Sequence, residues 1–211
     1  MARPMAHIPD GVLSAPVLIG AAVATAAGIA IALRRLDYDR IPQTAVLTAV
    51  FFVASLVHIP IGPTSVHPLL TGLMGLVLGW AAVPAILVGL VLQAAFFGFG
   101  GITVLGVNTF NMALPALLIA AVIGPLLRTA ASPRRAMLLG ALAGGAGVIL
   151  TAVLVCLSLG LSAEEYRPAL TIVLISYGPL AAVEAALTAA AVSLLQRVKP
   201  ELLSMGGARH A

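Results

Sequence analysis

Three of the four histidines in this 211-residue sequence lie at the ends of apolar segments, where their rings could meet. They are His7, His58 and His67, and the topology derived below brings Asn108 and Asn111 to the same side. Neutral imidazole binds Zn, Cu, Ni and Co. The single cysteine excludes a cluster of thiolate ligands. The pattern therefore predicts a transition-metal site built from nitrogen ligands.

The residues around His7 allow a more specific geometry. If the mature chain began at Ala6, after removal of Met5, it would offer the terminal amine, the His7 backbone amide and His7 Nδ1 in one plane. His67 could then fill the fourth corner of a square of nitrogens, which Ni(II) and Cu(II) favour. If Met5 were retained, the segment alone could supply all four nitrogens, whereas the full-length chain would bind only through the His7 ring. Arg3 favours the shorter chain, because a basic residue opposes export of an N-terminal tail.

Motifs typical of several enzyme classes are absent from the sequence. It contains no HExxH, Walker A, GxSxG or CxxC pattern, so we expect neither protease, ATPase nor hydrolase activity. Two other binding functions stay open. A haem could use His58 and His67, but these lie nine residues apart across a proline-rich break. A vitamin-like substrate would need a roomier aromatic pocket than one Trp, three Tyr and six Phe favour.

The composition is that of a membrane protein. Hydrophobic residues make up 61% and charged residues 9% of the chain, with a mean hydropathy of +1.14, whereas soluble domains carry roughly a quarter charged residues. Each spanning helix needs about 20 apolar residues. We therefore predict an all-α, polytopic fold, with one transmembrane domain over residues 1–211 and the metal-site segment at 5–11. The seven expected spans lie at roughly 12–33, 43–60, 66–80, 83–98, 107–127, 136–161 and 168–196.

The basic residues predict the orientation of these spans. Nine of the eleven Lys and Arg residues follow the first, fifth and seventh spans. By the positive-inside rule those ends are cytoplasmic. The stretch 41–127 contains no charged residue, and an even number of spans must separate the first two basic clusters. We expect the N-terminus outside, the C-terminus inside and the three histidines on the outer face.

Three motifs of the chain resemble those of the CbiM/NikM family, the substrate-capture (S) subunits of energy-coupling-factor transporters for cobalt and nickel. They are His7-Ile8-Pro9-Asp10-Gly11, Gly62-Pro63-Thr64-Ser65-Val66-His67 and Gly100-Gly101-Ile102-Thr103-x-x-Gly106-x-Asn108-x-x-Asn111-Met112-Ala113. The resemblance covers almost the whole chain. It implies seven helices with the N-terminal segment tucked among them, so that the terminal amine, backbone amide and His7 ring bind metal and His67 completes the square. Family members typically begin Met-His; this chain departs from that pattern, and processing to Ala6 would restore it.

The resemblance also implies a cellular role and partners. The expected function is capture of Ni(II) or Co(II) for uptake, in the cytoplasmic membrane of a bacterium or archaeon, with cobalt serving cobalamin biosynthesis. The metal would be the transported ligand and not a cofactor. The implied partners are a transmembrane coupling subunit, cytoplasmic ATPases that hydrolyse ATP, and often a small accessory membrane protein, without nucleic acid. Nickel and cobalt stay open, because a square of nitrogens fits either ion when low-spin.

Further polar residues receive supporting roles. Asn108 and Asn111 resemble family positions near the site and are expected to orient the ligands. Asp10 is expected to do the same or to cap the first span, and capping is favoured. His58 is expected to end a helix or line the access path, to which Ser65 is also assigned.

One carboxylate lies within the expected spans. Glu184 is a candidate for function because an intramembrane charge is costly. Its position in the last span suggests a location towards the cytoplasmic side. We expect it to pack against Gln93 or to contact a partner subunit, and not to bind the metal.

Overall fold

The computed structural model describes residues 7–61 and 64–204, and these form a bundle of helices. In chain order the elements are α1 (Ala15–Arg34), α2 (Ile41–Ala54), β1 (Ile59–Ile61), β2 (Thr64–Val66), α3 (Thr71–Leu78), α4 (Ala82–Phe97), α5 (Leu105–Arg128), α6 (Pro133–Gly160), α7 (Arg167–Val198) and α8 (Glu201–Ser204). Five stretches are long and apolar enough to cross a membrane: Ala15–Arg34, Thr71–Phe97, Leu105–Arg128, Pro133–Gly160 and Leu170–Val198. The protein is a polytopic helical membrane protein, as predicted, and the number of passes stays a prediction.

Proline marks several helix beginnings. It lies in the first turn of α1, α2, α6 and α7. The backbone N–H groups of a first turn have no partner within the helix, so proline loses nothing there. At the start of α6 the side chain of Ser132 also accepts a hydrogen bond from the Arg135 amide. The longest helices therefore begin where local chemistry favours a beginning.

The helical parts of the second and third expected spans are shorter than 43–60 and 66–80. α2 ends at Ala54, and α3 begins only at Thr71. Between them β1 and β2 pair as a short antiparallel hairpin, with Ile59 opposite Val66. Proline disfavours the helical conformation of the residue before it and cannot donate a backbone hydrogen bond. Pro60, within β1, and Pro68, after β2, thus disfavour helix in this region.

α3 and α4 run between two ends of the bundle. The turn between them, where Gly79 has φ 55°, lies next to the first cluster of arginines. There Arg40 donates a 2.7 Å hydrogen bond to the Val77 carbonyl, and the Arg35 guanidinium lies 4.9 Å from the Trp80 ring centroid. At the other end, Phe99, just after α4, stacks on His67. The candidate ligands and the basic cluster therefore lie at different ends of α4, and the orientation of the bundle in the membrane stays a prediction.

α3 packs very closely against its neighbours through glycine. A Cβ atom on Gly72 would collide with the backbone of Ala143 and Gly144 in α6, and one on Gly75 with the backbone of Ala116 in α5. Small residues permit such approach of helices in membranes. Gly72 and Gly75 thus serve packing within this bundle, around the short helix that follows His67.

Candidate metal-binding site

His7 and His67 meet in the structure as predicted from the sequence, although 60 residues separate them. Their Nε2 atoms lie 3.0 Å apart and their ring centroids 4.9 Å apart. Both are buried, with exposed fractions of 8% for His7 and 2% for His67. Two nitrogens bound to one ion at right angles, with bonds of about 2.0–2.1 Å, lie about 2.9 Å apart. The pair can therefore supply two adjacent ligands to one metal ion.

Both rings are suited to metal binding near neutral pH. Burial lowers the pKa of His7 to about 3, and the neighbouring His67 adds to this effect. Burial also lowers the pKa of His67 to about 4. Nδ1 of His67 lies 3.0 Å from the Pro68 carbonyl oxygen, which can only accept a hydrogen bond, so this nitrogen carries the proton. The unprotonated Nε2 of His67 then faces His7 with a lone pair available to a metal.

Asn108 holds the N-terminal segment at this position. Its Oδ1 accepts a 3.2 Å hydrogen bond from the Ile8 amide, and its Nδ2 donates a 3.1 Å bond to the Ile8 carbonyl. Gly100, with φ 72°, lies beneath this contact, where a Cβ atom would approach Asn108 Nδ2 to 3.0 Å and His7 Cβ to 3.5 Å. Because Ile8 is adjacent to His7, this pair of bonds fixes where the His7 ring enters the bundle.

Asp10 binds the backbone turn that precedes α5, which begins at Leu105. Its carboxylate accepts hydrogen bonds from the amides of Ile102, Thr103 and Val104 and from the Thr103 hydroxyl. These bonds, led by that of the Thr103 side chain, lower the pKa of Asp10. Asp10 therefore does not cap the first span, whose N-cap residue is Ser14; it ties the N-terminal segment to the turn at residues 102–104.

Asn111 forms its side-chain hydrogen bonds away from the histidine pair. It exchanges hydrogen bonds of 3.2 and 3.3 Å with the Ser158 hydroxyl in α6. These contacts join α5 to α6. A second tie to this end of α6 comes from the Ser14 amide, which donates a 3.1 Å bond to Ser162 Oγ. Among the two predicted amides, Asn108 holds the histidine-bearing segment and Asn111 holds the helices behind it.

His58 is exposed and separated from the pair by an aromatic ring. Its Nδ1 lies 3.0 Å from the Leu56 carbonyl. Phe99 contacts both histidines, edge-on to His58 at 5.8 Å and stacked on His67 at 6.4 Å between centroids. Phe99 therefore contacts both of the histidines that a haem would use as axial ligands. The side chain of Ser65 and the whole of Ala6 lie outside the described residues, so their expected roles stay predictions.

Gln93 and Glu184 lie closer to the histidine pair than the sequence suggested. Gln93 is fully buried, and neither atom of its amide makes a hydrogen bond among the described residues, yet its proximity raises the pKa of His7 against the larger effect of burial. Glu184 accepts hydrogen bonds from the amides of Leu69 and Leu70. It therefore lies beside the loop that follows His67, which corrects its expected location towards the cytoplasmic side, and it does not bond to Gln93. The sequence pointed to these two residues through their polarity, since each lies within an apolar span.

Within residues 7–61 and 64–204 no group of three or more His, Cys, Asp or Glu side chains could hold a metal ion. The His7 nitrogen that faces His67 is Nε2, whereas chelation together with its own backbone amide requires Nδ1. The ring of His7 would have to turn to complete the predicted square.

The apolar helices and the buried imidazole pair define a membrane protein of the metal-transport class. A family model described as the cobalt uptake substrate-specific transmembrane region (CbiM) matches residues 7–202. The chain belongs to this family, and it is an integral, multi-pass protein of the inner membrane. The family is one of transport proteins, which fits the absence of enzyme motifs from the sequence.

Individual relatives agree with this assignment. A putative metal transport protein of Haemophilus influenzae is 39% identical over 94% of this chain and 97% of its own length. A fused nickel transport protein, NikMN, of Rhodobacter capsulatus is 35% identical over 94% of this chain but only 64% of its own length. A crystal structure of a transition metal transporter superposes with a TM-score of 0.75 at 26% identity, covering 91% of this chain and 93% of the other.

Proposed function

We propose that this protein is the substrate-binding subunit of an energy-coupling-factor importer and captures Ni(II) or Co(II) on the outer face of the membrane. The observation that carries the proposal is the buried pair of neutral imidazoles, whose Nε2 atoms lie 3.0 Å apart. Imidazole nitrogen suits both ions. The pair lies at the end of the bundle opposite the Arg35 and Arg40 contacts, and the positive-inside rule makes that end the outer one.

The proposed coordination uses four nitrogens. His67 contributes Nε2, and the segment ending at His7 contributes the ring, its backbone amide and a terminal amine at Ala6 after processing. Binding would turn the His7 ring so that Nδ1 joins the chelate. The hydrogen bonds of Asn108 and Asp10 support this arrangement, since they hold the segment on both sides of Pro9 without occupying the His7 nitrogens.

Separate subunits would supply energy and coupling. We propose a transmembrane coupling subunit and cytoplasmic ATPases as partners, together with a small accessory membrane protein. Support for the accessory protein comes from relatives that are described as fused nickel transport proteins, NikMN in Rhodobacter capsulatus and LarMN in Lactiplantibacillus plantarum. This chain covers 64% and 35% of their lengths, respectively, so each fused protein contains sequence beyond the matched region.

The decisive experiment measures metal binding by the purified protein and by three alanine variants. We expect His7→Ala and His67→Ala each to abolish stoichiometric binding of Ni(II) and Co(II) in calorimetry. His58→Ala is the matched control, because that ring is exposed and bonds to neither ligand; it should bind like the wild type. Stoichiometric binding by the His67→Ala protein would overturn the site.

Intact-mass measurement on the same preparation tests the amine ligand. A mass beginning at Ala6 is expected. An active protein that retains residues before Met5 would refute the terminal amine as a ligand and leave a site based on the two rings.

A further inference from the structure

The carboxylate of Glu184 touches the peptide group that orients His67. Its Oε1 accepts hydrogen bonds of 2.5 Å from the Leu69 amide and 2.8 Å from the Leu70 amide. The Leu69 N–H belongs to the same peptide unit as the Pro68 carbonyl, which accepts the bond from His67 Nδ1 at 3.0 Å. This peptide is trans, as are all described peptide bonds, so its N–H and C=O point in opposite directions.

We propose that Glu184 is a positioning residue for the metal site and acts on His67 through the Pro68–Leu69 peptide. The inference rests on the proposed function and deepens it. The bonds run in one line: the Glu184 carboxylate accepts from the peptide N–H, and the peptide C=O accepts from the His67 ring. Hydrogen bonds in such a chain polarise one another and strengthen. The arrangement resembles the partners that orient a metal-bound histidine and raise its basicity, with a peptide group inserted between carboxylate and ring.

The second bond of Glu184 holds the backbone that follows. Leu70 precedes α3 and has φ 51°, a left-handed conformation that a residue with a branched side chain rarely adopts. Its amide is bound by Glu184, and its carbonyl accepts the Met74 amide at 2.8 Å in the first turn of α3. The carboxylate thus stabilises both the unusual conformation and the start of the helix, three residues after His67.

Burial makes these bonds effective. Glu184 is 0% exposed and Leu69 1% exposed, so water does not compete for the N–H groups. Among the described residues, Oε2 of the same carboxylate has no hydrogen-bond partner. Among the described residues, every hydrogen bond of the Glu184 side chain goes to the segment between His67 and α3. This is expected of a side chain whose role is to position that segment.

The test compares Ni(II) binding by Glu184→Leu, Glu184→Gln and a control, Thr151→Val. Leucine removes the acceptor, whereas glutamine keeps a carbonyl oxygen that can face the same two amides. Thr151 is equally buried but bonds only to its own helix, at Gly147. Loss of an outer partner of a ligand typically weakens metal binding by about 10–100-fold. We expect a loss in that range for the leucine variant, recovery of most of it with glutamine, and no change in the control.

A spectroscopic readout separates positioning from folding. The ligand-field absorption band of bound Ni(II) depends on the metal–nitrogen bonds, and a residue that only stabilises the fold would not move it. We expect the band to shift in Glu184→Leu and not in Thr151→Val. A folded leucine variant with wild-type affinity and band would overturn the proposal, as would a glutamine variant that loses as much affinity as leucine at an unchanged melting temperature.

Two further measurements cover a leucine variant that does not fold and a failure of the proposed function. If Glu184→Leu does not fold, Glu184→Asp replaces it, since the shorter side chain withdraws the carboxylate from the two amides; wild-type affinity in that variant would overturn the proposal. Failure of the proposed function is recognised separately, because then the wild type would not bind Ni(II) or His67→Ala would bind it normally.

Discussion

Replacing Asn108 by alanine should weaken metal binding without removing any ligand. The substitution deletes both hydrogen bonds to the Ile8 backbone and leaves a buried N–H and a buried C=O without partners. Ile8 is 4% exposed. Each unsatisfied buried group costs about 1–3 kcal/mol. We take the lower part of this range and expect a combined cost of about 2–4 kcal/mol for docking the N-terminal segment.

This cost should appear in the affinity for metal. At about 1.4 kcal/mol per factor of ten, it shifts the docking equilibrium by about 30-fold to 1,000-fold. Only the docked segment presents His7 to His67, so the measured Kd equals the intrinsic Kd divided by the fraction of protein that remains docked. The bonds of Asp10 also hold the segment, so the full factor is an upper limit for the change in Kd.

Calorimetry with Ni(II) and hydrogen exchange of the N-terminal peptide measure the two halves of this prediction. We expect a higher Kd and faster exchange at Ile8 in Asn108→Ala. The matched control is Asn111→Ala, the same substitution one helical turn away, where the side chain bonds to Ser158 instead. It should lower the melting temperature and leave Kd unchanged. Unchanged exchange and unchanged Kd in Asn108→Ala would refute the reasoning.

Two further predictions concern protons and close packing. Burial holds the pKa values of His7 and His67 below the ordinary value of histidine, about 6.5, so the unfolded chain binds more protons, and the metal-free protein should lose stability as the pH falls from about 6.5 towards 4. The loss is at most about 1.4 kcal/mol per histidine and pH unit; melting temperatures across that range measure it, and a steady value would contradict the burial of the rings. Gly101→Ala would place a Cβ atom against the Asp10 carboxylate, whereas Gly20 has open space around it. We expect the first variant to bind Ni(II) about tenfold more weakly, the effect of about one charge-assisted hydrogen bond, and Gly20→Ala to bind like the wild type; equal affinities would contradict the role of the Gly101 contact.

The long helices could be predicted from the sequence with good accuracy. Residues 107–127 and 136–161 were expected as spans, and the helices cover Leu105–Arg128 and Pro133–Gly160. Charge-free runs of this length have no alternative to a helix in lipid, since every backbone group must be satisfied within the segment. The region from Ala54 to Thr71 was harder, because its apolar composition matches a span while its prolines prevent a helix.

The types of ligand atom in the candidate site could be predicted from the sequence. The residues that hold those ligands in place could be predicted only in part. Histidine in a chain with one cysteine limited the chemistry to nitrogen donors, and that inference needed no structure. Asp10 was expected to cap the first span, yet the amides that it binds lie more than 90 residues away, in the turn before α5. Helix caps are usually local, so a carboxylate that joins distant segments cannot be recognised from a local pattern.

The sequence by itself determined that the chain lies in a membrane, where its long helices run and which kind of atom is a candidate metal ligand. Hydropathy, charge and side-chain chemistry are properties of each residue and its near neighbours, so they can be read without a structure. Only the tertiary structure decided which of these atoms meet. It brought His7 within 3.0 Å of His67, put Phe99 between His67 and His58, and joined Glu184 to an amide 115 residues away. Such distances depend on how the helices pack at their small residues, and packing is a property of the whole bundle.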